Sequence, residues 1–282
     1  MSVYEIITER VIKSLEGGTV PWQKPWTTKM PVNFVSKKPY RGINPFLLSL
    51  QNRKSPYWLS FKQMANLGGT LKIDDKKASM VIFWKWLDAN KDVKDADKKD
   101  LTPMLRYYNV FNLDQIEGIE APEEAKLEFT PIESAEKVVA GYPNPPKFTE
   151  GGDRACYSPS LDEITMPVKE SFTDIESYYS TLFHEMTHST GHKTRLARPE
   201  VVDVNHFGSD DYSKEELVAE MGASFLQAET GITSKSVQQN SEAYIKSWIK
   251  VFKDDKKFIV HASAKAQKAV DWILDRKYVE PS

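Results

Sequence analysis

The hydrophobic pattern of the first 113 residues predicts an amphipathic helix followed by strands, with a turn that could enter a short helix within residues 56–67. Apolar side chains recur at helical spacing over residues 3–16, and Gly17-Gly18 ends this run. Residues 78–86 and 105–113 are short apolar stretches with β-branched and aromatic side chains, a pattern typical of buried strands. The front of the chain is therefore expected to be a mixed α/β unit.

The second half of the chain contains longer runs of residues with helical periodicity. Thr173 and Glu176 have the spacing of a capping box for the first of these helices, and Gly191 is expected to end it. Ahead of the helices, residues 156–158 and 163–166 flank a turn and predict a β-hairpin. The predicted helices span residues 174–190, 213–230, 237–252 and 260–276.

A segment rich in Glu and Pro, residues 118–146, separates the two patterns. Connections between domains fall in polar, Pro-containing segments of this kind. We therefore predict an α+β protein with one domain at 1–125 and a second at 126–282.

Composition narrows the class of protein. With 40% hydrophobic and 28% charged residues the chain resembles an ordinary globular protein. A single cysteine, Cys156, excludes a disulfide framework and a zinc site built from several cysteines. Glu5, Glu9 and Arg10 interrupt the apolar residues of the N-terminus, so neither a signal peptide nor a membrane partner is expected. A cytoplasmic protein is predicted.

Charge is distributed unequally along the chain. Residues 1–112 contain 19 Lys and Arg against 10 Asp and Glu, whereas the remainder contains 19 against 30. Five of the seven tryptophans also lie in the basic part. This asymmetry predicts two units with different partners.

Aromatic and cationic residues alternate in the basic part, as they do in proteins that bind single-stranded nucleic acid. Cations follow the phosphates there, and bases stack on aromatic faces. Trp22 and Trp26 lie next to prolines on an extended segment and are the better surface candidates. The alternative is that the aromatic residues form a core and the lysines a solvated surface. The predicted DNA-contacting residues are Trp22, Lys24, Trp26, Lys38, Tyr40, Arg41, Trp58 and Lys62.

The strongest chemical motif is residues 184–188, HEMTH. His184 and His188 are four residues apart on a predicted helix, so both imidazoles lie on one face, a spacing that suits tetrahedral Zn²⁺. Glu185 could reach the open coordination position and take a proton from the metal-bound water. The alternative is that two surface histidines flank an acid by chance. One zinc ion is expected.

A third ligand is expected from the predicted helix at 213–230. Glu216 and Glu220 are four residues apart and share a face, so one could bind the metal while the other accepts a hydrogen bond from a ligand imidazole. We favour Glu216 as the ligand and keep Glu220 as the alternative. Glu216 could instead close a capping box with Ser213.

Other polar residues are weaker candidates. His192 follows His188 by four residues but lies beyond Gly191, which favours a cap or a substrate contact over a metal ligand. His206 and Tyr212 precede the glutamate-bearing helix and could donate to an oxyanion. The predicted strand at 163–166 could offer an edge to an extended peptide.

Taken together, these motifs closely resemble ArdC-type antirestriction proteins. The segments that resemble the metallopeptidase domain of that family are 154–159 (RACYSP), 162–167 (DEITMP), 184–192 (HEMTHSTGH), 195–196 (RL), 207–208 (FG), 215–220 (EELVAE) and 266–269 (AQKA). Those that resemble its DNA-binding domain are 18–22 (GTVPW), 25–26 (PW), 40–44 (YRGIN), 57–58 (YW), 61–63 (FKQ), 67–69 (LGG), 110–112 (VFN) and 114–115 (DQ). One departure follows Gly69, where TLKIDDKKA replaces a glycine-containing turn but stays basic.

The resemblance implies a domain that binds single-stranded DNA, followed by a zincin-like domain related to proteases that act on DNA-bound proteins. It also implies a role on plasmids or phages in evading restriction by a bacterial host. His184, Glu185, His188 and Glu216 would carry the metal site.

Three hypotheses of function remain open at this point. The preferred one combines binding of single-stranded DNA with a zinc peptidase that acts on a DNA-bound or restriction-related protein. In the second, the protein protects DNA by occupying it, and the metal site is structural or vestigial. The third is a general protease whose basic front domain recruits acidic substrates. The sequence leaves the oligomeric state open.

Overall fold

A computed structural model describes residues 1–22, 30–88, 101–122, 130–202, 210–233 and 242–277. Within these ranges the chain has an α+β architecture, as predicted. None of the helices found there has the length and apolarity that crossing a bilayer requires.

Helices and strands follow in the order that the hydrophobic pattern predicts, with short additional elements between them. The helices are α1 (Val3–Glu16), α2 (Asn44–Ser49), α3 (Phe61–Asn66), α4 (Pro131–Ala140), α5 (Ile175–Ser189), α6 (Pro199–Val202), α7 (Asp210–Thr230), α8 (Glu242–Asp254) and α9 (Phe258–Ile273). The strands are β1 (Val32–Asn33), β2 (Tyr57–Ser60), β3 (Thr70–Leu71), β4 (Ser79–Asp88), β5 (Leu101–Asn112), β6 (Ile116–Glu117), β7 (Lys147–Glu150), β8 (Cys156–Ser158) and β9 (Glu163–Met166).

A four-stranded sheet of order β1-β2-β5-β4 organises the front half. Its main feature is the long antiparallel pair β4–β5, in register from Ser79 opposite Val110 to Asp88 opposite Leu101. The side chain of Asn44 exchanges two hydrogen bonds with the backbone of Ile82, at 2.9 and 2.7 Å. This contact fixes α2 along the outer edge of β4.

The back half contains a three-stranded sheet of order β7-β9-β8, next to helix α5, which also packs on α7 and α9. Strand β9 pairs in parallel with β7 and in antiparallel with β8. The predicted hairpin is therefore present, but the expectation that residues 163–166 offer a free edge is wrong. The edges of this sheet are β7 and β8, because β9 is paired on both sides.

One hydrophobic core joins the two halves. It contains residues of α1, the start of α2 and β4 together with residues of α5, α7, α8 and α9. Trp22 lies within it, 2% exposed, with its ring 5.2 Å from that of Trp248 and 6.4 Å from that of Phe252. The division of the chain at residue 125 stays a prediction, but the halves pack on each other through this core.

Candidate metal centre

Helix α5 brings two imidazoles together. Its N-cap is Asp174, whose carboxylate accepts a hydrogen bond of 2.6 Å from the backbone of Ser177. The predicted capping box of Thr173 and Glu176 is therefore wrong, because Asp174 is the residue with the extended cap conformation. Ten residues further on, the Nε2 atoms of His184 and His188 lie 3.1 Å apart.

Helix α7 adds a carboxylate to this pair. The Oε2 atom of Glu216 lies 3.4 Å from Nε2 of His184, and its Oε1 atom lies 3.5 Å from Nε2 of His188. One ligand atom from each of the three residues lies within 4.8 Å of the others. Helix α7 begins at Asp210, so Ser213 is not its N-cap and the capping-box alternative for Glu216 is wrong. The side chain of Glu216 is directed at the two imidazoles.

A glycine permits the two helices to approach closely enough for this arrangement. A Cβ atom at Gly222 would lie 2.4 Å from Cγ2 and 2.7 Å from Oγ1 of Thr187. These distances are far shorter than any van der Waals contact. Only glycine fits at this position while α5 and α7 keep their spacing, and that spacing brings Glu216 to the histidines.

The outward-facing nitrogens of both imidazoles are directed at further carboxylates. Oε1 of Glu215 lies 3.3 Å from Nδ1 of His188, within hydrogen-bond distance. Oε1 of Glu220 lies 4.0 Å from Nδ1 of His184, on the side of that ring away from the cluster. The geometry thus assigns Glu216 and Glu220 to different nitrogens of His184. It also places Glu215, which sequence reasoning missed, in the supporting role.

Arg198 holds Glu215 in place. Its guanidinium binds both oxygens of Glu215, donates to Oγ1 of Thr190 at 2.6 Å, and donates to the carbonyl of Thr187 at 2.9 Å. The side chains of Arg198 and Glu215 are 5% and 6% exposed. The signal for this pair was present in the sequence as the doubled glutamate at 215–216, but the partner from residue 198 could not be predicted without the loop after α5.

The electrostatics of the cluster favour a cation between the imidazoles. Burial acts to lower the pKa of both histidines, but the hydrogen bonds and charges of the glutamates outweigh it. The pKa of His184 is raised, and that of His188 is raised well above its ordinary value. Burial likewise opposes ionisation of Glu216, yet the two imidazoles hold its pKa far below the ordinary value. Negative potential is therefore concentrated where the nitrogens converge.

The donor set fits a divalent metal of the type held by zincin sites. Two imidazole nitrogens and one carboxylate are the ligands of the His₂Glu catalytic class, which leaves a position for water or substrate. The ring of His188 is oriented by the carboxylate of Glu215 on its other nitrogen, as ligand histidines commonly are, and a second carboxylate, that of Glu220, lies 4.0 Å from the other nitrogen of His184. The cluster therefore meets the requirements of a metal site in ligand type, number and support.

Glu185 lies beside the cluster with its side chain uncommitted. It is 6% exposed, and among the described residues its carboxylate has no hydrogen-bond donor and no ion-pair partner. It lines a cavity of about 490 Å³ that His184 and Glu220 also border. Because the carboxylate is buried, unpaired and open to the cavity, it can exchange a proton with a molecule bound there.

The walls of this cavity come from both halves of the chain. Residues 153–155, directly before the edge strand β8, form one side, and Trp22 contributes from the front half. Most of the remaining polar lining consists of hydroxyl groups, on Ser171, Thr173, Ser177, Ser180, Thr181 and Ser224.

His192, the other candidate whose side chain the structure describes, lies apart from the cluster. Nδ1 of His192 is 2.8 Å from Oγ1 of Thr194 and 3.7 Å from Asp162, and His192 does not border the cavity. Asp162 is bound by the guanidinium of Arg195, whose side chain is fully buried. This contact ties the loop after α5 to the turn between β8 and β9. His206 and the side chain of Tyr212 lie outside the described residues.

The structure contradicts part of the predicted DNA-contacting set. Trp22 and Trp58 are 2% exposed and Tyr40 is 7% exposed, so all three rings belong to hydrophobic clusters and offer no face to a base. The alternative, that the aromatic residues form a core, is correct for these three residues. Arg41 forms an ion pair with Asp271.

Lys38 and Lys62 are exposed, and neither has a side-chain partner in the described parts of the chain. Lys24 and Trp26 lie outside the described residues. Of the six predicted contacts that the structure describes, these two lysines are the free surface cations.

Comparison with known proteins matches a separate family model to each half of the chain. The sequence model for the N-terminal domain of the anti-restriction factor ArdC matches residues 1–111, and that for a zincin-like metallopeptidase matches residues 133–265. The DNA primase TraC of Escherichia coli is 36% identical over 96% of this chain, and the chain spans 27% of the length of that primase. An uncharacterized protein, y4eC of Sinorhizobium fredii, is 31% identical over 96% of this chain and 91% of its own length.

Solved structures of a relative cover nearly all of both chains. The antirestriction protein ArdC from plasmid R388 has been determined without metal and with Mn(II) bound. The Mn(II)-bound structure is 34% identical, covers 98% of each chain and superposes with a TM-score of 0.79. The protein belongs to the ArdC family of antirestriction proteins, and its second half is a zincin-like metallopeptidase domain.

Proposed function

We propose that the chain is a zinc-dependent peptidase that binds single-stranded DNA and acts on DNA-associated or restriction-related proteins in the cytoplasm of a bacterial host. The observation that carries the enzymatic part is the uncommitted carboxylate of Glu185 at the edge of a His₂Glu cluster. A structural metal site needs no such group, whereas a hydrolytic site needs a base next to the open position.

Each residue of the site has its own role in the proposed hydrolysis. His184, His188 and Glu216 would hold one Zn²⁺, which supplies Lewis-acid activation of the scissile carbonyl and of water. Glu185 takes the proton of the attacking water and can deliver it to the leaving amine, because its carboxylate faces the cavity and has no competing partner. Glu215 and Glu220 keep the imidazoles oriented.

An extended peptide is the substrate that this surface accommodates best. Strand β8 is an edge of its sheet, and residues 153–155 lead from the cavity wall directly into it. A peptide added along β8 would place one side chain in the cavity, whose hydroxyl-rich lining favours a polar group. A volume of about 490 Å³ is ample for a single side chain.

Single-stranded DNA is proposed as the partner of the front half. Residues 30–88 contain 10 Lys and Arg against 3 Asp and Glu, a balance that favours a polyanion. One of the relatives is named a DNA primase, which supports a DNA partner. Binding is expected to tolerate any sequence and to weaken as salt rises.

The test compares wild type with Glu185→Gln in metal analysis and in a cleavage assay. The substrates are proteins bound to single-stranded DNA, assayed with and without the DNA. We expect Glu185→Gln to retain one zinc per chain and to lose cleavage by about 10²–10⁴-fold, the range contributed by a general base. Glu176→Gln is the matched control, because it makes the same change on α5 at a residue that does not line the cavity.

Each other outcome points to a different function. Full antirestriction activity by Glu185→Gln would favour protection of DNA by occupancy. Cleavage of acidic proteins at full rate without DNA would favour a general protease. A wild-type protein without stoichiometric metal would contradict the proposed centre itself.

A further inference from the structure

One face of the long hairpin of β4 and β5 has a part that nothing in the described molecule covers. Side chains alternate between faces along a strand, and residues opposite each other in an antiparallel pair share a face. Phe83 is opposite Arg106, and Tyr108 and Met104 lie two positions to either side of Arg106. These four side chains therefore lie on one face, which we call the aromatic face.

Exposure of the aromatic face is high for such large groups. Phe83 is 40% exposed, Tyr108 39% and Met104 37%. The rings of Phe83 and Tyr108 contact each other at 5.5 Å between centroids, with an angle of 61° between their planes. Nearer the base of the hairpin the same face is buried, because Val81 packs there with Tyr40 and Trp58. The exposed part thus continues a well-packed cluster, which fixes the positions of the rings.

A free cation lies in the middle of this face. Arg106 is exposed and has no ion pair or hydrogen bond with any residue in the described ranges. Lys38, which is exposed and has no side-chain partner among the residues described, lies two residues before Tyr40, which covers the buried end of the face. Aromatic rings next to unpaired cations form the surface that single strands use, with stacking for the bases and charge for the phosphates.

We propose that the aromatic face is the track on which single-stranded nucleic acid stacks its bases. Phe83 and Tyr108 provide the stacking surfaces, and Arg106 binds a phosphate or stacks on the adjacent base. This assignment rests on the proposed binding of single-stranded DNA, and it replaces the buried rings of Trp22, Tyr40 and Trp58 with rings that a base can reach. A duplex keeps its bases stacked internally, so the face should discriminate against it.

The hairpin supplies its own control on the opposite face. Tyr107 is 51% exposed, adjacent to both Arg106 and Tyr108 in sequence, and directed to the other side of the sheet. Any general effect of removing an exposed aromatic residue from this hairpin will therefore affect Tyr107→Ala as well. Loss of a specific stacking surface, in contrast, will leave the Tyr107→Ala variant unaffected.

The experiment measures fluorescence anisotropy of labelled oligo(dT) and of a duplex of the same length, with full-length protein over a series of salt concentrations. Phe83→Ala and Tyr108→Ala should each weaken binding to oligo(dT) by at least about fivefold, the lower end of what one stacked base contributes. Tyr107→Ala should bind like wild type. Arg106→Ala should reduce the slope of log K against log salt by about 0.7.

Different substitutions at Phe83 distinguish a loss of base stacking from an effect on folding. Phe83→Trp should retain affinity because it keeps a π-face, whereas Phe83→Leu should lose it although the apolar contact remains. Unchanged affinity in Phe83→Ala and Phe83→Leu, or an equal loss in Tyr107→Ala, would overturn the track while leaving DNA binding intact. If wild type binds oligo(dT) no better than a charge-matched control protein, the proposed DNA partner fails, and the track fails with it.

Discussion

Charged side chains are buried around the metal cluster and exposed in the front half. His184, Glu185, Glu216 and Arg198 are each at most 6% exposed. In the described residues up to 122, by contrast, every Lys, Arg, Asp and Glu whose side chain is described keeps at least partial exposure. The buried side chains there are apolar or, as for Asn112 and Gln115, polar without charge. Charged side chains are therefore shielded from water in the metal cluster and solvated in the front half.

This difference separates two ways of building a site. A buried charge is costly unless it has a partner, so each member of the metal cluster is held by another, and the geometry is fixed before anything binds. An exposed cation is well solvated and contributes little by itself, so a binding surface needs several of them. The metal centre should therefore depend steeply on single residues, and the DNA surface should depend on many residues weakly.

Trp22 is the sharpest test of the boundary between the two regions, because a residue of the basic front half lies in the shared core. Trp22→Ala should lower the free energy of unfolding by about 3–5 kcal/mol, the usual cost of removing a buried aromatic side chain. Urea denaturation measures this loss. The affinity for oligo(dT) of the remaining folded protein should not change.

Trp84→Ala provides the comparison for Trp22→Ala. Trp84 is 42% exposed and contacts Tyr4 at 6.5 Å between ring centroids, so its removal should cost less than about 1 kcal/mol. If Trp22→Ala were as stable as wild type but bound oligo(dT) more weakly, Trp22 would be a DNA contact after all, and the core that joins the halves would be looser than described.

Glu215 tests whether the buried charges act together. Glu215→Gln keeps the shape of the side chain but removes the negative charge that faces Nδ1 of His188 and the guanidinium of Arg198. We expect the affinity for Zn²⁺ to fall by about 10–100-fold, the usual effect of losing a hydrogen-bond partner of a ligand imidazole. Competition with a chromogenic chelator measures this change without reference to catalysis.

Glu200→Gln is the matched control for Glu215→Gln. Glu200 is a glutamate of the same half that forms an ion pair, with Lys265, and has no contact with a ligand histidine. Its substitution should leave the affinity for Zn²⁺ unchanged. Equal affinity in wild type and Glu215→Gln would mean that His188 is oriented by its position on α5 alone.

The sequence predicts a region well where its contacts are local in the chain, and poorly where they join distant segments. The ligand spacing of His184 and His188 is a local property of one helix, and Glu216 follows from a second helix with its own periodicity. Most helix boundaries were predicted to within a few residues for the same reason. The partnership of Arg198 with Glu215 and the spacing set by Gly222 depend on how a loop and a second helix pack, which no local pattern encodes.

The aromatic residues were misassigned because composition does not determine orientation. Trp22 beside a proline is equally compatible with a surface segment and with an anchor in the core. The structure places it against Trp248, more than two hundred residues away in the chain. In β4 and β5, on the other hand, the alternation of side chains assigns Phe83 and Trp84 to opposite faces of the sheet. The pairing register is also needed to say which residues of β5 share each face.

Lys62 gives the smallest expected effect and the most direct test of weak, distributed binding. It is exposed near the start of α3 and has no side-chain partner among the described residues. If it neutralises one phosphate, Lys62→Ala should reduce the slope of log K against log salt by about 0.7, which corresponds to about a fourfold loss of affinity at 0.15 M salt. Titrations of oligo(dT) over a range of salt concentrations measure both quantities. Lys268→Ala, which removes from α9 an exposed lysine without a side-chain partner in the described ranges, should change neither. A loss of a hundredfold or more in Lys62→Ala would mean that the front half also relies on one preorganised cation, and the contrast between the two regions would disappear.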